Sequence, residues 1–261
     1  MTVGIIGNGI TGGALRRWLK AFTNHQIAIY DPPLGYSDAK VLSPCDAVFV
    51  SVPVPTNEDG DQDISILVES LDLIPKSAHA FIRSTVLPTT TDRLANELGR
   101  PIYFMPEFLT ARRAFPDFKK HSIIAGCVDD PAAQKTLRDI FQNLALGLPK
   151  PCHFYTNQEC ELGKYTQNVF GALSVHYFNL INQICNKFKI SYNDAIEVAA
   201  SAKNMSTKYS QVPGPDGKMG FSGSCFPKDL LAFSKFFYKE LENEFFFDVY
   251  EKNKEIRGAD V

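Results

Sequence analysis

The segment VGIIGNGITGGALRRWLKAF (residues 3–22) decides the fold class of this chain. Its first four residues, VGII, form a short apolar run that predicts a strand. Gly7, Gly9 and Gly12 follow with the spacing GxGxxG, and a helical pattern covers residues 10–22. A strand, a glycine-rich turn and a helix in this order are typical of the first unit of a parallel α/β sheet.

The rest of the first half repeats this alternation of strands and helices. Further apolar runs predict strands at 27–30, 47–52, 78–83, 101–104 and 122–126. They are nearly continuous in apolar character, which is typical of strands covered on both faces. Helical patterns lie between several of them, near 64–73, 90–98 and 131–144. We therefore predict an α/β fold with a doubly wound, Rossmann-type parallel sheet.

The second half of the chain has a different pattern. After about residue 155 the strand signals end, and residues 158–188 form one helical pattern without proline. Further helical patterns cover 192–206 and 228–257. We predict a Rossmann domain over 1–155, and an all-helical domain over 156–261 that contains one long central helix.

Composition excludes several classes of protein. The 261 residues are 44% hydrophobic and 21% charged, which is typical of a folded chain with a sizeable core. A net charge of −2 favours neither nucleic acid nor an anionic membrane as a partner. No apolar run approaches the roughly 18–20 residues of a membrane span, and the N-terminus lacks a secretory pattern. We predict a cytoplasmic protein.

The cysteine and histidine patterns do not indicate a metal site. The six cysteines include no CxxC pair, and the five histidines show no HxxxH or HxxE spacing. We expect no metal, reduced thiols, and mostly buried cysteine side chains.

The glycine-rich turn has the context of a dinucleotide site. Asp31 ends the second predicted strand, nineteen residues after Gly12. Such an acid accepts hydrogen bonds from ribose hydroxyls, and its charge repels a 2′-phosphate, so NAD is favoured over NADP. A glycine-rich turn in some other α/β protein is the alternative. The predicted contacts with the cofactor are Gly7, Asn8, Gly9, Ile10, Thr11, Gly12 and Asp31.

The carboxyl ends of other strands add to this predicted site. In open α/β sheets, ligands bind outside those ends. The residues found there are Val52, Pro53, Thr56, Ser84 and Thr85, which we assign to the cofactor, and Pro106-Glu107. Each of them alone is compatible with ordinary turn chemistry.

A single cysteine has the surroundings of a nucleophile. Cys225 lies in GFSGSCFPKD (220–229), where glycines allow close approach of the backbone and Pro227 suits the first turn of a helix. A thiol at a helix N-terminus, with Lys228 three residues on, has two features that activate it. A buried, inert cysteine is the alternative.

The long predicted helix carries a polar stripe. Glu161, Lys164 and Asn168 span about 60° of one face at 100° per residue. A solvated helix face is the usual explanation for such a stripe. The next positions on that side are apolar, which favours a buried polar cluster.

In order and spacing, six motifs resemble those of the UDP-glucose/GDP-mannose dehydrogenase family, from residue 3 to about 257. They are GNGITG (7–12), SVPVPT (51–56), RSTVLPTTT (83–91), PEFLTARRAFPDF (106–118), CELGKYTQNVFGALSVHYFN (160–179) and GFSGSCFPKD (220–229). The resemblance implies oxidation of a sugar C6 alcohol to a carboxylate in two NAD-dependent steps, with a nucleotide sugar, UDP-glucose by default, as substrate. It also implies a homodimer through the long helix at 158–188.

The resemblance implies a role for each matching residue. Cys225 adds to the C6 aldehyde as a thiohemiacetal and then becomes a thioester, while Lys164 and Asn168 stabilise the oxyanion. Thr85 and Asp229 hold a water or share proton transfer, and Glu107 serves as acid and base in thioester hydrolysis. The remaining expected substrate contacts are Phe108, Leu109, Phe221, Gly223 and Lys228.

The chain also departs from the family pattern. Ala111 replaces a carboxylate near the site, which puts efficient hydrolysis in doubt. Typical members of the family continue into a second Rossmann-like domain that grips the nucleotide, and this chain ends about where that domain begins, which is compatible with a naturally short form or with a piece of a longer protein. The alternatives are a two-electron dehydrogenase of the hydroxyacid type, which needs no cysteine, and a catalytically idle NAD-binding or regulatory protein.

Overall fold

The computed structural model describes residues 1–147 and 149–258, and they divide into two compact units. The first unit comprises Met1–Pro55 and Gln62–Lys164. The second comprises Thr56–Asp61 and the chain from Tyr165 onward. The predicted domain boundary between residues 155 and 156 stays a prediction.

A five-stranded parallel sheet forms the centre of the first unit. Its strands are β1 (Thr2–Ile6), β2 (Gln26–Tyr30), β3 (Ala47–Val50), β4 (His79–Ile82) and β5 (Ile102–Phe104), in the order β2-β1-β3-β4-β5. Gly4 on β1 pairs with Ala28 on one side and Val48 on the other. All four residues of β3 are buried, as expected of a central strand with helices on both faces.

Helices bury alternate residues of these strands on opposite faces of the sheet. The first-unit helices are α1 (Ile10–Phe22), α2 (Ser65–Asp72), α3 (Thr90–Glu97), α4 (Ala114–Lys120) and α5 (Pro131–Phe141). Phe49 and Phe81 belong to a core with Trp18 of α1 and Phe141 of α5. Val48 and Ile82 belong to a second core with Leu67, Leu71 and Leu94 of α2 and α3. The predicted α/β fold is confirmed.

The sixth predicted strand, at 122–126, lies outside this sheet. Its central residues form β6 (Ile123–Ala125), which pairs in parallel with β7 (Cys152–Phe154) in a separate two-stranded sheet. The sequence pattern missed both β7 and α4, because a three-residue strand and a seven-residue helix that contains Pro116 carry little periodicity.

The long predicted helix is α6 (Asn157–Phe188), 32 residues that begin in the first unit and continue into the second. The second unit continues with α7 (Tyr192–Ala200), α8 (Phe226–Leu241) and α9 (Phe245–Arg257). The predictions for 192–206 and 228–257 were wrong in length. The first helix ends at Ala200, and Glu242, at φ +53°, ends α8 where no glycine or proline marks a break.

Candidate functional site

The glycine-rich turn at 7–12 is shaped by backbone that leaves no room for side chains. Gly7 has a φ of +82°, and a Cβ on it would lie 2.4 Å from Ser51 O. A Cβ on Gly12 would lie 1.9 Å from Gly7 O. Around Gly9, by contrast, no atom of the described residues lies within 4 Å of a Cβ position. The turn is therefore closed against its own unit and open at Gly9, where a ligand can approach the backbone.

The surroundings of this turn fit a dinucleotide. Gly9 is the N-cap of α1, and no side chain caps that helix, so its first N–H groups are available to an anion. The buried Asn8 Oδ1 has no hydrogen-bond partner among the described residues. The Asp31 carboxylate lies beside the turn, because it accepts hydrogen bonds from Asn8 N at 2.6 Å and Leu34 N at 3.3 Å.

The other residues predicted to contact the cofactor follow β3 and β4. Ser84 Oγ donates to Val52 O at 2.6 Å, which ties the two strand-end loops together. Thr85 O accepts a hydrogen bond from Gln62 Nε2 at 3.1 Å. Thr56 is separate from this group, because it lies in the short segment that belongs to the second unit.

Sequence reasoning missed Arg83, the last residue of the apolar run AHAFIR. Its side chain is 2% exposed, and one of its NH groups donates to Thr11 O at 3.1 Å. Burial lowers the pKa of Arg83 to about 10, while the nearby Glu107 acts in the opposite direction. A charged residue at the end of an otherwise apolar strand was the available signal.

Lys164 and Glu107 form a buried ion pair in the first unit. Lys164 Nζ lies 2.9 Å from Glu107 Oε1 and 2.5 Å from Glu107 O. Their side chains are 4% and 12% exposed. Burial raises the pKa of Glu107, but the charge of Lys164 and hydrogen bonds from Lys164 and Leu109 N outweigh it, so that pKa lies below its ordinary value. Glu107 is therefore ionised at neutral pH.

The predicted substrate contacts in this unit lie next to the ion pair. Phe108 has its ring centroid 5.6 Å from Lys164 Nζ. Leu109 N donates to Glu107 Oε2 at 2.8 Å. The PEFL segment thus places its carboxylate and its ring beside Lys164, while the Leu109 amide binds that carboxylate.

Each residue of the polar stripe has its own partner, and Glu161 binds the start of α3. It is fully buried, and its carboxylate accepts hydrogen bonds from Thr89 N, Thr91 N and Thr91 Oγ1 at the start of α3. Burial raises its pKa to about 7, although the three hydrogen bonds act in the opposite direction. Lys164 and Asn168 are also buried, which confirms the predicted burial, but they bind Glu107 and Asp229 and do not form one cluster with Glu161.

Cys225 lies in the second unit. It is the exposed one among the six cysteines of the chain, and all six thiols are free. It is the N-cap residue of α8, with Pro227 in the first turn of that helix. Its Sγ lies 3.7 Å from Ser224 Oγ. The thiol is therefore accessible and lies where the N–H groups of a helix begin.

Asp229 joins two other predicted residues to this helix. It is 1% exposed, and its carboxylate accepts hydrogen bonds from Asn168 Nδ2 at 2.6 Å and from Lys228 Nζ at 2.5 Å. The charge of Lys228 thus binds the carboxylate next to it in sequence.

The last two predicted substrate residues, Phe221 and Gly223, have opposite environments. Phe221 is 3% exposed, whereas Gly223 is exposed with a φ of +88°. The predicted catalytic residues thus fall into two groups, with Thr85, Glu107 and Lys164 in the first unit and Asn168, Cys225 and Asp229 in the second.

Two stretches of the chain match known protein domains of one family. Residues 35–145 match the NAD binding domain of the UDP-glucose/GDP-mannose dehydrogenase family, and residues 158–255 match its central domain. The chain belongs to the UDP-glucose/GDP-mannose dehydrogenase family. Its NAD binding domain makes NAD the cofactor, which confirms the preference for NAD predicted from the sequence.

Curated relatives from this family are longer than the chain. It is 28% identical over 246 residues to a UDP-glucose 6-dehydrogenase of Rhizobium meliloti, and the match covers 83% of this chain and 55% of that protein. It is 32% identical over 207 residues to the UDP-glucose 6-dehydrogenase AglM of Haloferax volcanii, with coverage of 72% and 47%. The chain thus spans about half the length of the curated relatives it matches.

Solved structures share the fold. A UDP-glucose dehydrogenase from Pyrobaculum islandicum superposes with a TM-score of 0.79 at 24% identity, over 96% of this chain and 68% of that one. A 3-hydroxyisobutyrate dehydrogenase from Mycobacterium tuberculosis superposes with a TM-score of 0.74 at 15% identity, over 99% of this chain and 94% of that one. At these identities the similarity concerns the fold alone.

Two features are absent from the described residues. Across 1–147 and 149–258, none of the helices combines the length and the apolar character that crossing a bilayer requires. In the same residues, no three His, Cys, Asp or Glu side chains are grouped so that they would hold a metal ion.

Proposed function

We propose that this chain catalyses the NAD-dependent oxidation of a nucleotide sugar at C6, from alcohol to carboxylate, with UDP-glucose as the first substrate to test. The observation that carries the proposal is the accessible Cys225 thiol at the start of α8, in the unit that holds the bonded Asn168 and Asp229. Relatives named UDP-glucose 6-dehydrogenase, at 28% and 32% identity, support this choice of substrate.

The first unit binds the cofactor in this proposal. The uncapped start of α1 and the open face of Gly9 hold the pyrophosphate, and Asp31 accepts hydrogen bonds from the ribose. When bound, NAD supplies the hydride acceptor. Arg83 donates a hydrogen bond to Thr11 O of α1 and adds a buried positive charge beside that helix.

Cys225 carries the covalent chemistry. After the alcohol has lost a hydride and a proton, the Cys225 sulfur bonds to the aldehyde carbon and forms a thiohemiacetal. Loss of a second hydride from that carbon, together with the hydroxyl proton, leaves a thioester. Water then attacks the thioester carbon, the C–S bond breaks, and the sulfur takes up a proton to regenerate the thiol. One alcohol and one water thus yield one carboxylate, two transferred hydrides and three released protons.

The neighbouring polar residues stabilise charge and move protons. Lys164 and Asn168 supply the cationic and amide donors that an oxyanion requires. Glu107 is ionised at neutral pH and accepts a proton from the attacking water, since its carboxylate is an acceptor already held in place by Leu109 N. Asp229 orients Asn168 through their 2.6 Å hydrogen bond, and Thr85 holds the water.

Assembly as a homodimer is a second part of the proposal. The residues of α6 that suggest this interface in the sequence are Leu162, Tyr165, Val169, Leu173, His176, Leu180 and Ile184. Tyr165 and Val169 are 0% and 4% exposed and belong to the interior, whereas Leu162, Leu180 and Ile184 are exposed. Phe170, Tyr177 and Phe188 are further exposed apolar side chains of this helix. None of the residues of α7 is buried. A second copy that packs on α6 and α7 would cover these side chains.

The experiment is an assay of NADH formation by the purified chain with a panel of UDP- and GDP-sugars, together with quantification of the acid. We expect two NADH per acid from the wild type and no acid from Cys225→Ala. Cys152→Ala, which alters a half-buried thiol outside the proposed site, is the control and keeps the stoichiometry.

Two results would overturn the proposal. One NADH per substrate, with full activity in Cys225→Ala, would indicate the two-electron hydroxyacid type of dehydrogenase. NAD binding by calorimetry without turnover of any sugar nucleotide would indicate the idle, regulatory alternative.

A further inference from the structure

The loop that leads to Cys225 is held by buried side chains from two helices of the second unit. Gly220 N donates to Asn179 Oδ1 of α6 at 2.9 Å. Phe221 is bound at both backbone groups by Asn253 of α9, since Phe221 N donates to Asn253 Oδ1 at 2.8 Å and Asn253 Nδ2 donates to Phe221 O at 2.9 Å. Asn179 and Asn253 are 2% and 0% exposed, so their hydrogen bonds to the loop are buried.

Arg257, one turn beyond Asn253, binds the residues just before this point. Its guanidinium donates to Met219 O at 3.1 Å and pairs with Asp216 at 2.7 Å, and its side chain is 4% exposed. Gly220 has a φ of +75°, and a Cβ there would lie 2.6 Å from Asn253 Oδ1. The backbone therefore lies directly against α9, and Asn253 is at the centre of the contact.

The buried side-chain anchoring ends at Phe221, four residues before the thiol, and Ser222 Oγ adds one exposed hydrogen bond to Asp216 at 3.3 Å. Gly223, Ser224 and Cys225 are exposed, and among the described residues nothing lies within 4 Å of a Cβ position on Gly223. Residues 222–225 thus form a short span between Asn253 at one end and the start of α8 at the other. A side chain that binds both the N–H and the C=O of one residue fixes the direction of the chain as well as its position.

We propose that Asn253 is a positioning residue for catalysis, which sets the path of residues 222–225 and so holds the Cys225 thiol at the start of α8. The inference rests on the proposed function, in which that thiol bonds to the aldehyde carbon. A nucleophile displaced by about 1 Å loses on the order of 10²-fold in rate. An apolar side chain of similar volume at position 253 fills the same space, but it forms no hydrogen bond with Phe221 and so does not fix the direction of the loop.

The test compares Asn253→Leu with a matched variant in the first unit, Asn157→Leu. Asn157 is also buried, and its amide also bridges backbone, since Oδ1 accepts from Phe104 N at 2.7 Å and Nδ2 donates to Ile102 O at 3.1 Å. Hydrogen exchange should show that the Phe221 amide loses protection in Asn253→Leu and keeps it in Asn157→Leu.

Two functional measurements separate positioning from mere packing. In Asn253→Leu we expect kcat to fall on the order of 10²-fold while KM for NAD stays unchanged, and Asn157→Leu to keep its kcat. Alkylation of Cys225 by iodoacetamide, followed by peptide mass spectrometry, should be severalfold slower in Asn253→Leu. The thiol then no longer holds one fixed position at the exposed start of α8.

The outcomes distinguish this inference from the proposed function. If Asn253→Leu loses protection at Phe221 but keeps kcat and the alkylation rate, Asn253 is structural only and the inference is overturned. If the wild type oxidises no sugar nucleotide, the proposed function fails and the alkylation rate alone decides. Should Asn253→Leu not fold, Asn253→Asp keeps the volume and the acceptor but loses the donor to Phe221 O, and an unchanged alkylation rate in it would also overturn the inference.

Discussion

The two glycine-rich segments of this protein, 7–12 and 220–225, are held in place by different means. The first is closed by main-chain atoms, since Gly7 O lies 1.9 Å from the Cβ position of Gly12, and Ser51 O, from the segment after β3, lies 2.4 Å from that of Gly7. The second is held by the buried side chains of Asn179 and Asn253, while no described residue lies within 4 Å of a Cβ position on Gly223. The glycine turn is thus fixed by close backbone contacts, whereas the cysteine loop is fixed by side chains of helices far away in the sequence.

The lysine–carboxylate pairs of the two units also differ, in their exposure and in the partners they share. Lys164 and Glu107 are both nearly inaccessible, at 4% and 12% exposure. Lys228 is 30% exposed and joins Asp229, its neighbour in sequence, which also has Asn168 as a partner. The first pair is thus a buried interaction, to which Leu109 N adds a hydrogen bond, and the second is part of a shared and partly exposed network.

The largest expected effect comes from breaking the first pair. Lys164→Met leaves Glu107 buried without its cation, which should lower the free energy of unfolding by about 3–5 kcal/mol. Lys228→Met leaves Asp229 its hydrogen bond from Asn168 and should cost about 1–2 kcal/mol. Urea unfolding at neutral pH measures both values, and equal losses would contradict the distinction between the two pairs.

A smaller effect tests the closed glycine turn. Gly12→Ala places a methyl group 1.9 Å from Gly7 O, and we expect it to lower the free energy of unfolding by about 3 kcal/mol and to weaken NAD binding. Gly13→Ala is the control, because its Cβ lies 3.3 Å from Asn8 O and alanine is the better helix residue. Calorimetry with NAD and thermal unfolding would detect the difference. A tolerated Gly12→Ala would show that the turn relaxes.

The pH dependence of stability tests the interaction of the Glu161 carboxyl group with the start of α3. The folded pKa of Glu161 is raised from 4.5 to about 7, so its protonated form stabilises the fold below pH 4.5, and that contribution is lost as the pH rises through 7. Glu161→Gln removes this titration and should flatten the decline between pH 4.5 and 7, at a cost of about 1–2 kcal/mol for the altered hydrogen bonds. Urea titrations across that range measure the slope, and an identical slope in both proteins would refute the assignment.

The smallest expected effect is at the open glycine of the cysteine loop. Gly223→Ala meets no described neighbour within 4 Å, so its cost comes from the φ of +88° alone, about 1 kcal/mol. Thermal unfolding of this variant beside Gly12→Ala compares the two segments directly. A loss as large as that of Gly12→Ala would mean that the loop is closed in the same way as the turn.

Local patterns predicted most of the fold. The strands of the central sheet and helix α1 were readable because burial on two faces demands apolar runs and a helix repeats every 3.6 residues. The glycine-rich turn was readable because its GxGxxG spacing lies between a strand and a helix, although the close contact of Gly7 is with Ser51 O, 44 residues away. The break at Glu242 and strand β7 were not readable, since no glycine or proline directly follows Glu242 and a three-residue strand is too short to show a period.

The sequence by itself determined the chemical groups and their spacing within each motif, and the tertiary structure decided which partner each group has. Lys164 binds Glu107, 57 residues away, and Asn168 binds Asp229, 61 residues away. Asn253 has no motif of its own, yet it binds Phe221 from 32 residues away. A motif records the requirements of one short segment, whereas a hydrogen bond between distant segments exists only once helices and strands have packed and excluded water from both groups.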